Sequence, residues 1–370
     1  MLNCGWERMR ALRPELNMNG RYVPLSRLVE QFPVKILGSE VSRRFNNTLP
    51  FLFKVLSIGE PLSIQAHPNK EQAVTLFERD PVHYPDSNHK PEIAVALDHL
   101  TALVGLKPID DILYTLEKYP EFVHFLGRGF VSRWMKVLPL PVDRHAGHIK
   151  TLIVEILHQS EKRSDDLARI LTELYQRLCQ QIRDLDNAEK LFVKLWNTYR
   201  HGDVGLVFVF LLQIMNLNAG DAIFLRAGLP HAYVSGNIIE CMANSDNVVR
   251  VGLTPKYKDV QTLADIIDCD PAPLTVLSDK GMKCAFYETP VDDFDLEKIR
   301  LGSQKIVTKN RPEILLITEG EIKLTWRQEG PHSASFGRGQ SVFIPACLDE
   351  YGLEGIPEAT VFRASTPEAI

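Results

Sequence analysis

The segment LSIQAHP at residues 62–68 constrains the fold of this chain more than any other, because polar and apolar side chains alternate along it. A period of two predicts a β-strand with Ser63, Gln65 and His67 on one face and the apolar residues on the other. A polar row on a strand inside an apolar barrel needs partners, since an unpaired buried polar group is costly. A metal ion is one such partner, and a solvated strand face is the alternative.

Strand patterns continue towards both ends of the 370-residue chain. Short apolar segments separated by Gly, Asn, Asp and Pro predict many short strands, as in barrels or sandwiches. The apolar run VGLVFVFLL at 204–212 is interpreted as the start of the C-terminal group of strands. The segment EILLITEGEIKLTW at 313–326 predicts a hairpin that turns at Glu319 and Gly320.

The middle of the chain has a helical pattern instead. Apolar residues recur at helical spacing in four segments, at 109–118, 149–158, 165–182 and 188–199. One of these stripes is expected to be core and consists of Leu167, Ile170, Leu171, Leu174 and Leu178. We therefore predict a mainly β protein with an α-helical insertion at 108–200.

Two other segments place metal-binding residue types at strand starts. Glu92 follows Lys90 and Pro91 where a polar loop enters an apolar strand, and His231 follows a Gly-Leu-Pro turn. Taken singly, such a Glu is commonly exposed and such a His is commonly structural. Together with Gln65 and His67 they offer two imidazoles, a carboxylate and an amide oxygen. This set without a thiolate suits a divalent ion such as zinc with one position open to substrate.

Charged residues between 236 and 260 predict an anion pocket. Glu240 lies on an apolar strand, where an unpaired carboxylate is costly. Arg250 lies between two valines, so it is either paired with a carboxylate such as Glu240 or reserved for an anion. Lys90 and Lys256 could join Arg250 in a positive pocket, and ordinary surface charge is the alternative for the two lysines.

Composition excludes several classes of protein. The net charge of −5 argues against a nucleic-acid-binding surface, and six cysteines without a CxxC motif favour free thiols. A membrane helix needs about 20 apolar residues, far more than the longest run here. The N-terminus has no apolar core of signal-peptide length. A cytoplasmic protein without a membrane or nucleic-acid partner is expected. One loose internal echo links GDAIFLRAGLPHAY (220–233) with GQSVFIPACLDEY (339–351), although the second copy lacks the His.

Four segments resemble the type I mannose-6-phosphate isomerase family. They are SIQAHPNKE (63–71), NHKPE (88–92), GLPHAYVSG (228–236) and ECMANSDNVVRVGLTPKYKDV (240–260), and a weaker likeness extends over about 49–365. The resemblance implies two cupin-type (jelly-roll) β-barrels, one catalytic and one degenerate. The catalytic barrel would comprise 1–107 and 201–290, and the degenerate barrel 291–370, with the helical insertion at 108–200.

The resemblance also implies the chemistry. It implies one zinc ion per chain held by Gln65, His67, Glu92 and His231. It implies interconversion of mannose 6-phosphate and fructose 6-phosphate, a supply of mannose for GDP-mannose synthesis, and a sugar phosphate as the small-molecule partner of a monomer. Arg250 corresponds to the family's active-site Arg. Other pocket positions of the family match Lys90, Tyr233, Glu240, Asp246 and Lys256.

Chemical logic leaves several roles open. An aldose–ketose interconversion through an enediol needs a general base and cationic stabilisation of the developing oxyanion. The base could be Glu240, Asp246 or a lysine with a lowered pKa. Lys90 could assist ring opening, and Ser63 and Lys256 are candidates for anchoring the phosphate.

The N-terminus departs from the family. The segment MLNCGWERMRALRPELNMNGRY does not align convincingly with the Ala-Trp-Gly and Glu-Leu-Trp stretches with which members begin. A chain that lacks the family's N-terminal segment is therefore expected. The alternative function is a non-catalytic cupin-like protein that binds metal or sugar phosphate and arose from the enzyme by truncation. A cupin oxygenase using iron fits the Gln ligand and the cationic residues poorly.

Overall fold

A computed structural model describes residues 15–18, 21–199, 202–327 and 330–368. Most of the N-terminal segment expected to depart from the family lies outside these residues. The strands are β1 (Glu15–Met18), β2 (Arg21–Pro24), β3 (Phe51–Ile58), β4 (Ile64–Ala66), β5 (Glu92–Ala96), β6 (Leu100–Leu106), β7 (Leu212–Leu217), β8 (Asp221–Leu225), β9 (His231–Ala243), β10 (Val249–Gly252), β11 (Val276–Ser278), β12 (Cys284–Tyr287), β13 (Asp295–Val307), β14 (Glu313–Arg327), β15 (Pro331–Gly337), β16 (Ser341–Ile344) and β17 (Glu350–Ser365).

Helices alternate with these strands along much of the chain. They are α1 (Leu25–Gln31), α2 (Pro33–Leu37), α3 (Ser39–Arg44), α4 (Lys70–Arg79), α5 (Ile109–Lys118), α6 (Pro120–Leu126), α7 (Arg128–Met135), α8 (His145–Lys162), α9 (Ser164–Cys179), α10 (Asn187–Tyr199), α11 (Gly205–Leu211) and α12 (Val260–Ile266). Because helices also occur outside 108–200, the fold is a mixture of helices and antiparallel sheets instead of a mainly β protein. Within the described ranges, every helix is too short or too polar to cross a membrane.

Two compact units divide the chain. One comprises Met1–Phe53 with Asp279–Ile370, and the other comprises Lys54–Ser278. The predicted domain boundaries near 107, 200 and 290 remain predictions.

The sheet of the larger unit is built around β9. Its strands follow the order β10-β4-β9-β5-β8-β11, while β3 also pairs with β9, and β6 pairs with both β7 and β9. The pairs with a described register are antiparallel, and the first half of β9 pairs with β4 and β6 while the second half pairs with β5. The sheet therefore curls into a half-barrel, and residues from β4, β5 and β9 converge inside it.

The helical segment packs against the outer face of this sheet. Ile64 and Ala66 of β4 are fully buried in one core cluster with apolar residues of α5 to α11. The predicted stripe on α9 is buried in the same cluster, which confirms its assignment to the core. The apolar face of β4 thus packs against the helices, and its polar face lines the inside of the half-barrel.

The prediction of a strand at 204–212 is wrong. Most of this run forms the helix α11, and all its residues are buried. A short apolar run has no periodicity that separates a buried strand from a buried helix. Close packing supports the helix, because a Cβ on Gly205 would lie 2.5 Å from the backbone nitrogen of Leu253.

The smaller unit contains a six-stranded antiparallel sheet. Its strands follow the order β12-β13-β17-β14-β15, with β16 also paired to β14. The predicted hairpin at Glu319 and Gly320 is wrong, because β14 continues through both residues as one strand. The register of β14 against β17 shifts there, and Gly320 has a φ of +71°. The turn-forming residues therefore serve a bulge instead of a reversal.

The internal echo is a shared strand register. Glu92 on β5 lies opposite Leu225 on β8, and Glu313 on β14 lies opposite Ile344 on β16. Leu225 and Ile344 each follow the leading glycine of their segment by five positions. The two units therefore repeat one pairing scheme, and Glu313 takes the place of Glu92 in the second copy.

The surroundings of Glu313 differ from those of Glu92. The Glu313 side chain is buried, accepts a hydrogen bond from the hydroxyl of Tyr351 at 2.6 Å, and lies 3.6 Å from the guanidinium of Arg363. Arg363 also forms an ion pair with Glu297 at 2.5 Å. Arg363 lies opposite Leu315, just as Glu240 lies opposite Ala94 two positions after Glu92.

Candidate active site

Three predicted metal ligands meet in the larger unit. His67 follows β4, Glu92 begins β5 and His231 begins β9, and each is only 1% exposed. The Nε2 atom of His67 lies 3.4 Å from Glu92 Oε1, and Nε2 of His231 lies 3.4 Å from Glu92 Oε2. Ligand atoms about 2.1 Å from a tetrahedral metal lie about 3.4 Å from one another. The spacing therefore suits one metal ion.

Two of the atoms that would bind the metal lack hydrogen-bond partners among the described residues, which supports the same interpretation. Nε2 of His67 and Oε2 of Glu92 are buried without a hydrogen-bond partner among the described residues. The Nδ1 atoms are engaged elsewhere: that of His67 lies 2.8 Å from the Asn247 carbonyl oxygen, and that of His231 lies 2.9 Å from the Leu229 carbonyl oxygen. An Nδ1–H group that donates to a carbonyl leaves Nε2 with a lone pair for a metal. The residues present therefore fit a zinc ion.

The protonation states also suit metal binding. Burial, together with the positive charge of Lys90, holds the pKa of His67 well below its ordinary value. Burial alone would raise the pKa of Glu92, but the positive charge of Lys90 holds it well below its usual range. Lys90 Nζ lies 3.3 Å from Glu92 Oε1. A neutral imidazole and an ionised carboxylate are the forms that bind a metal.

Gln65 and Arg250 extend the site across three strands. On β4, Gln65 lies opposite His231 of β9 on one side and opposite Arg250 of β10 on the other. Its side-chain Nε2 lies 3.5 Å from Nε2 of His231. A half-turn of the Gln65 amide brings its oxygen to that side, so Gln65 can act as a further ligand. Arg250 is half-buried at the end of the same row.

A second cluster lies further along β9 and includes a residue that sequence reasoning missed. Lys54 on β3 places its Nζ 3.3 Å from Glu240 Oε2 and 3.0 Å from Met242 Sδ. The charge on Lys54 stabilises a carboxylate that is 5% exposed. A lysine inside the apolar strand FLFKVLS was the signal that could have identified Lys54.

Glu240 and Tyr233 have shifted acidities. Burial, with the negative charge of Glu92, raises the pKa of Glu240, while Lys54 and Lys90 oppose this rise. Burial and the charge of Glu240 raise the pKa of Tyr233 well above its usual value. Glu240 is thus a carboxylate of enhanced basicity near the metal ligands.

The remaining predicted residues lie nearer the surface. Ser63 is half-buried, and Asp246 and Lys256 are exposed. The backbone N–H of Lys256 donates to the hydroxyl of Thr254 at 3.1 Å. The described contacts link Gln65, His67, Lys90, Glu92 and His231 into one network. Glu240 and Tyr233 are coupled to it through the charge of Glu92. The functional roles of all the predicted site residues remain predictions.

Comparisons with known proteins point to one family. The sequence model described as "Phosphomannose isomerase type I, catalytic domain" matches residues 7–109. This match includes residues 7–22 of the N-terminal segment. Mannose-6-phosphate isomerase of Rattus norvegicus is 39% identical over 300 residues, covering 77% of this chain and 70% of the relative. The Homo sapiens protein of the same name is 37% identical over the same shares.

Solved structures agree with the sequence relatives. An arginine-to-alanine mutant of phosphomannose isomerase from Salmonella typhimurium has a TM-score of 0.79 and 30% identity, covering 95% of this chain and 87% of that one. A zinc-bound mannose 6-phosphate isomerase has a TM-score of 0.79 and 30% identity, covering 96% and 88%.

Proposed function

The chain is an enzyme of the type I phosphomannose isomerase family, and we propose that it interconverts mannose 6-phosphate and fructose 6-phosphate through an enediol. Its cofactor is zinc, and we propose one ion per chain. The observation that carries the proposal is the buried group His67, Glu92 and His231, whose donor atoms face one another. The product would supply mannose for GDP-mannose synthesis.

The finer features of the fold belong to the same proposal. We assign 1–107 with 201–290 to a catalytic cupin-type barrel and 291–370 to a degenerate one, separated by the helical insertion at 108–200. The shared register of β5 with β8 and of β14 with β16 supports two related barrels. We further propose a cytoplasmic monomer whose small-molecule partner is a sugar phosphate.

The chain's own residues divide the chemistry. Gln65, His67, Glu92 and His231 would hold the zinc, which would supply a Lewis acid for the substrate oxygens. Glu240 takes the proton from C2 of the open-chain aldose and returns it to C1, while the hydroxyl proton on O2 passes to O1, so that C2 becomes the ketone carbon. Its raised pKa brings its basicity closer to that needed near neutral pH.

Cationic residues complete the pocket. Arg250, which lies opposite Gln65 on the neighbouring strand β10, stabilises the oxyanion of the enediol. Lys90 keeps Glu92 ionised through its 3.3 Å contact and assists ring opening. Lys256 and Ser63 anchor the phosphate and Tyr233 packs against the sugar, while Asp246, which is exposed, is the alternative base.

A coupled assay of mannose 6-phosphate conversion tests the proposed function. The zinc-loaded chain is expected to turn over substrate, to lose activity with a chelator and to regain it when zinc is added. A folded, zinc-loaded chain that binds sugar phosphate without turnover would contradict the proposal and favour the non-catalytic binding protein.

Removing the positive charge beside Glu240 tests its role as the base. In Lys54→Met, the pKa of Glu240 rises further because Lys54 lowers it. Since the base must be ionised, the acid limb of the kcat–pH profile is expected to move to higher pH. Lys298→Met, which breaks a lysine–carboxylate pair with Asp279 in the other unit, should leave the limb in place. An unmoved limb in Lys54→Met would assign the base to another residue.

A further inference from the structure

We propose that Asp86 is a positioning residue of the zinc site, acting through the turn at 244–247 on the ring of His67. The proposal rests on the zinc enzyme proposed above and adds to it a residue that touches neither metal nor substrate. Asp86 lies in the polar loop that leads into Lys90 and Glu92. Its side chain connects this loop to the turn before β10.

The carboxylate of Asp86 accepts four hydrogen bonds. Oδ1 accepts from the Ser245 hydroxyl at 2.8 Å, from the Asn88 backbone N–H at 2.9 Å and from the Asn247 amide at 3.2 Å. Oδ2 accepts from the backbone N–H of Asp246 at 2.8 Å. Three of these donors belong to the turn, so one carboxylate holds most of it.

Backbone carbonyls of the same loop extend the link. The side-chain amide of Asn247 donates to the backbone carbonyl oxygen of Asp86 at 2.7 Å and to that of Asn88 at 3.0 Å. The Ser245 hydroxyl lies 3.1 Å from the Asn88 carbonyl, and the Asn88 amide donates to the Asn244 carbonyl at 3.0 Å. Asn247 is fully buried, so these bonds are shielded from competing water.

The turn passes this order to a metal ligand. The Asn247 carbonyl oxygen accepts the Nδ1–H of His67 at 2.8 Å, and this bond directs Nε2 of His67 towards Glu92. A carbonyl that orients a ligating imidazole fixes both its tautomer and its angle. Asp86 therefore helps to position two ligands. It anchors the turn that orients His67 and the loop that leads into Glu92.

An amide at position 86 cannot replace the carboxylate. An asparagine side chain has one acceptor oxygen, and its NH₂ group would face the N–H of Asp246 or the donors now on Oδ1. Asp86→Asn should therefore loosen the turn while it changes the volume little. Removal of such outer partners typically weakens metal binding by about 10- to 100-fold.

The experiment measures zinc affinity and the cobalt spectrum of Asp86→Asn. Metal-free, folded protein is titrated with zinc against a competing chelator dye, and the visible absorption of the Co²⁺ form reports the ligand geometry. We expect the zinc dissociation constant to rise by roughly 10- to 100-fold, with an altered Co²⁺ spectrum. Wild-type affinity with an unchanged spectrum would overturn the proposal.

Asp98→Asn is a matched control. Asp98 lies in the connection between β5 and β6 and ties it to β9. Its carboxylate accepts hydrogen bonds from the backbone N–H of Asn237 at 2.8 Å and from the side-chain amide of Asn237. The zinc affinity and Co²⁺ spectrum of Asp98→Asn should match those of the wild type. An equal loss of affinity in both variants would make the effect of Asp86 one of general stability, and would overturn the proposal.

A second variant keeps the proposal testable if Asp86→Asn folds poorly. Asn247→Ala retains the carbonyl that faces His67 but removes the amide that donates to Asp86, so it should weaken zinc binding in the same direction. In the double variant the two effects should fall short of additivity, since both act through one network. Fully additive effects would overturn the proposal. A wild-type chain that binds no zinc overturns the zinc enzyme itself, whereas normal zinc affinity in Asp86→Asn overturns only the role of Asp86.

Discussion

Glu92→Gln is expected to lose zinc and to lower kcat/KM by about 1,000-fold or more. Glu92 contacts both ligand imidazoles at 3.4 Å and is the one carboxylate among the proposed ligands. An uncharged amide leaves the ion without charge compensation and leaves Lys90 buried without its partner. A 1,000-fold loss corresponds to about 4 kcal/mol of transition-state stabilisation. Zinc content by atomic emission and the coupled isomerase assay measure the two effects.

Glu313→Gln is the matched control for this prediction. Glu313 is equally buried and occupies the same place in the strand register of the smaller unit. Its replacement should reduce the free energy of unfolding, since Tyr351 and Arg363 lose a charged partner, but zinc content and turnover should persist. Full zinc occupancy with near-normal turnover in Glu92→Gln would contradict the assignment of the site.

Arg250→Ala is expected to lower kcat by about 100- to 1,000-fold while zinc stays near one ion per chain. The expected loss is that of removing a fixed group that stabilises an oxyanion, about 3–4 kcal/mol. The register places Arg250 opposite Gln65 on the neighbouring strand and two strands away from His231, next to the proposed metal ligands.

The control for the second prediction is Arg226→Ala. Arg226 is 42% exposed and pairs with Asp268 at 2.7 Å, so its removal should change kcat little. Loss of zinc from Arg250→Ala would show that the arginine holds the strands together instead of acting on the substrate. Unchanged kcat with full zinc would exclude it from the reaction.

Much of the site could be predicted because its ligands lie on or beside strands. The alternation at 62–68 pointed to His67, and strand starts pointed to Glu92 and His231, which the structure brings together. Gln65 as a further ligand remains a prediction. Alternation along a strand depends only on neighbouring residues, so the sequence alone shows which side chains share a face. Lys54 was missed because its partner Glu240 lies 186 positions away in the sequence. No local pattern encodes such a distant pair.

The errors in the fold also have physical causes. The run that forms α11 is apolar on all sides, so its burial conceals the helical period. At Gly320 a glycine in a left-handed conformation suits a bulge as well as a turn, and pairing with β17 decides between them. In both cases tertiary contacts override the local signal.

The repeated register separates backbone architecture from chemistry in this chain. In the first copy Glu240 is the negative member of its ion pair with Lys54, and in the second Arg363 is the positive member of its pair with Glu297. The polarity is reversed while the strand pairing is kept. The strand register and the charges placed on it therefore vary independently, since Glu313 keeps the position of Glu92 while Tyr351 and Arg363 are its partners.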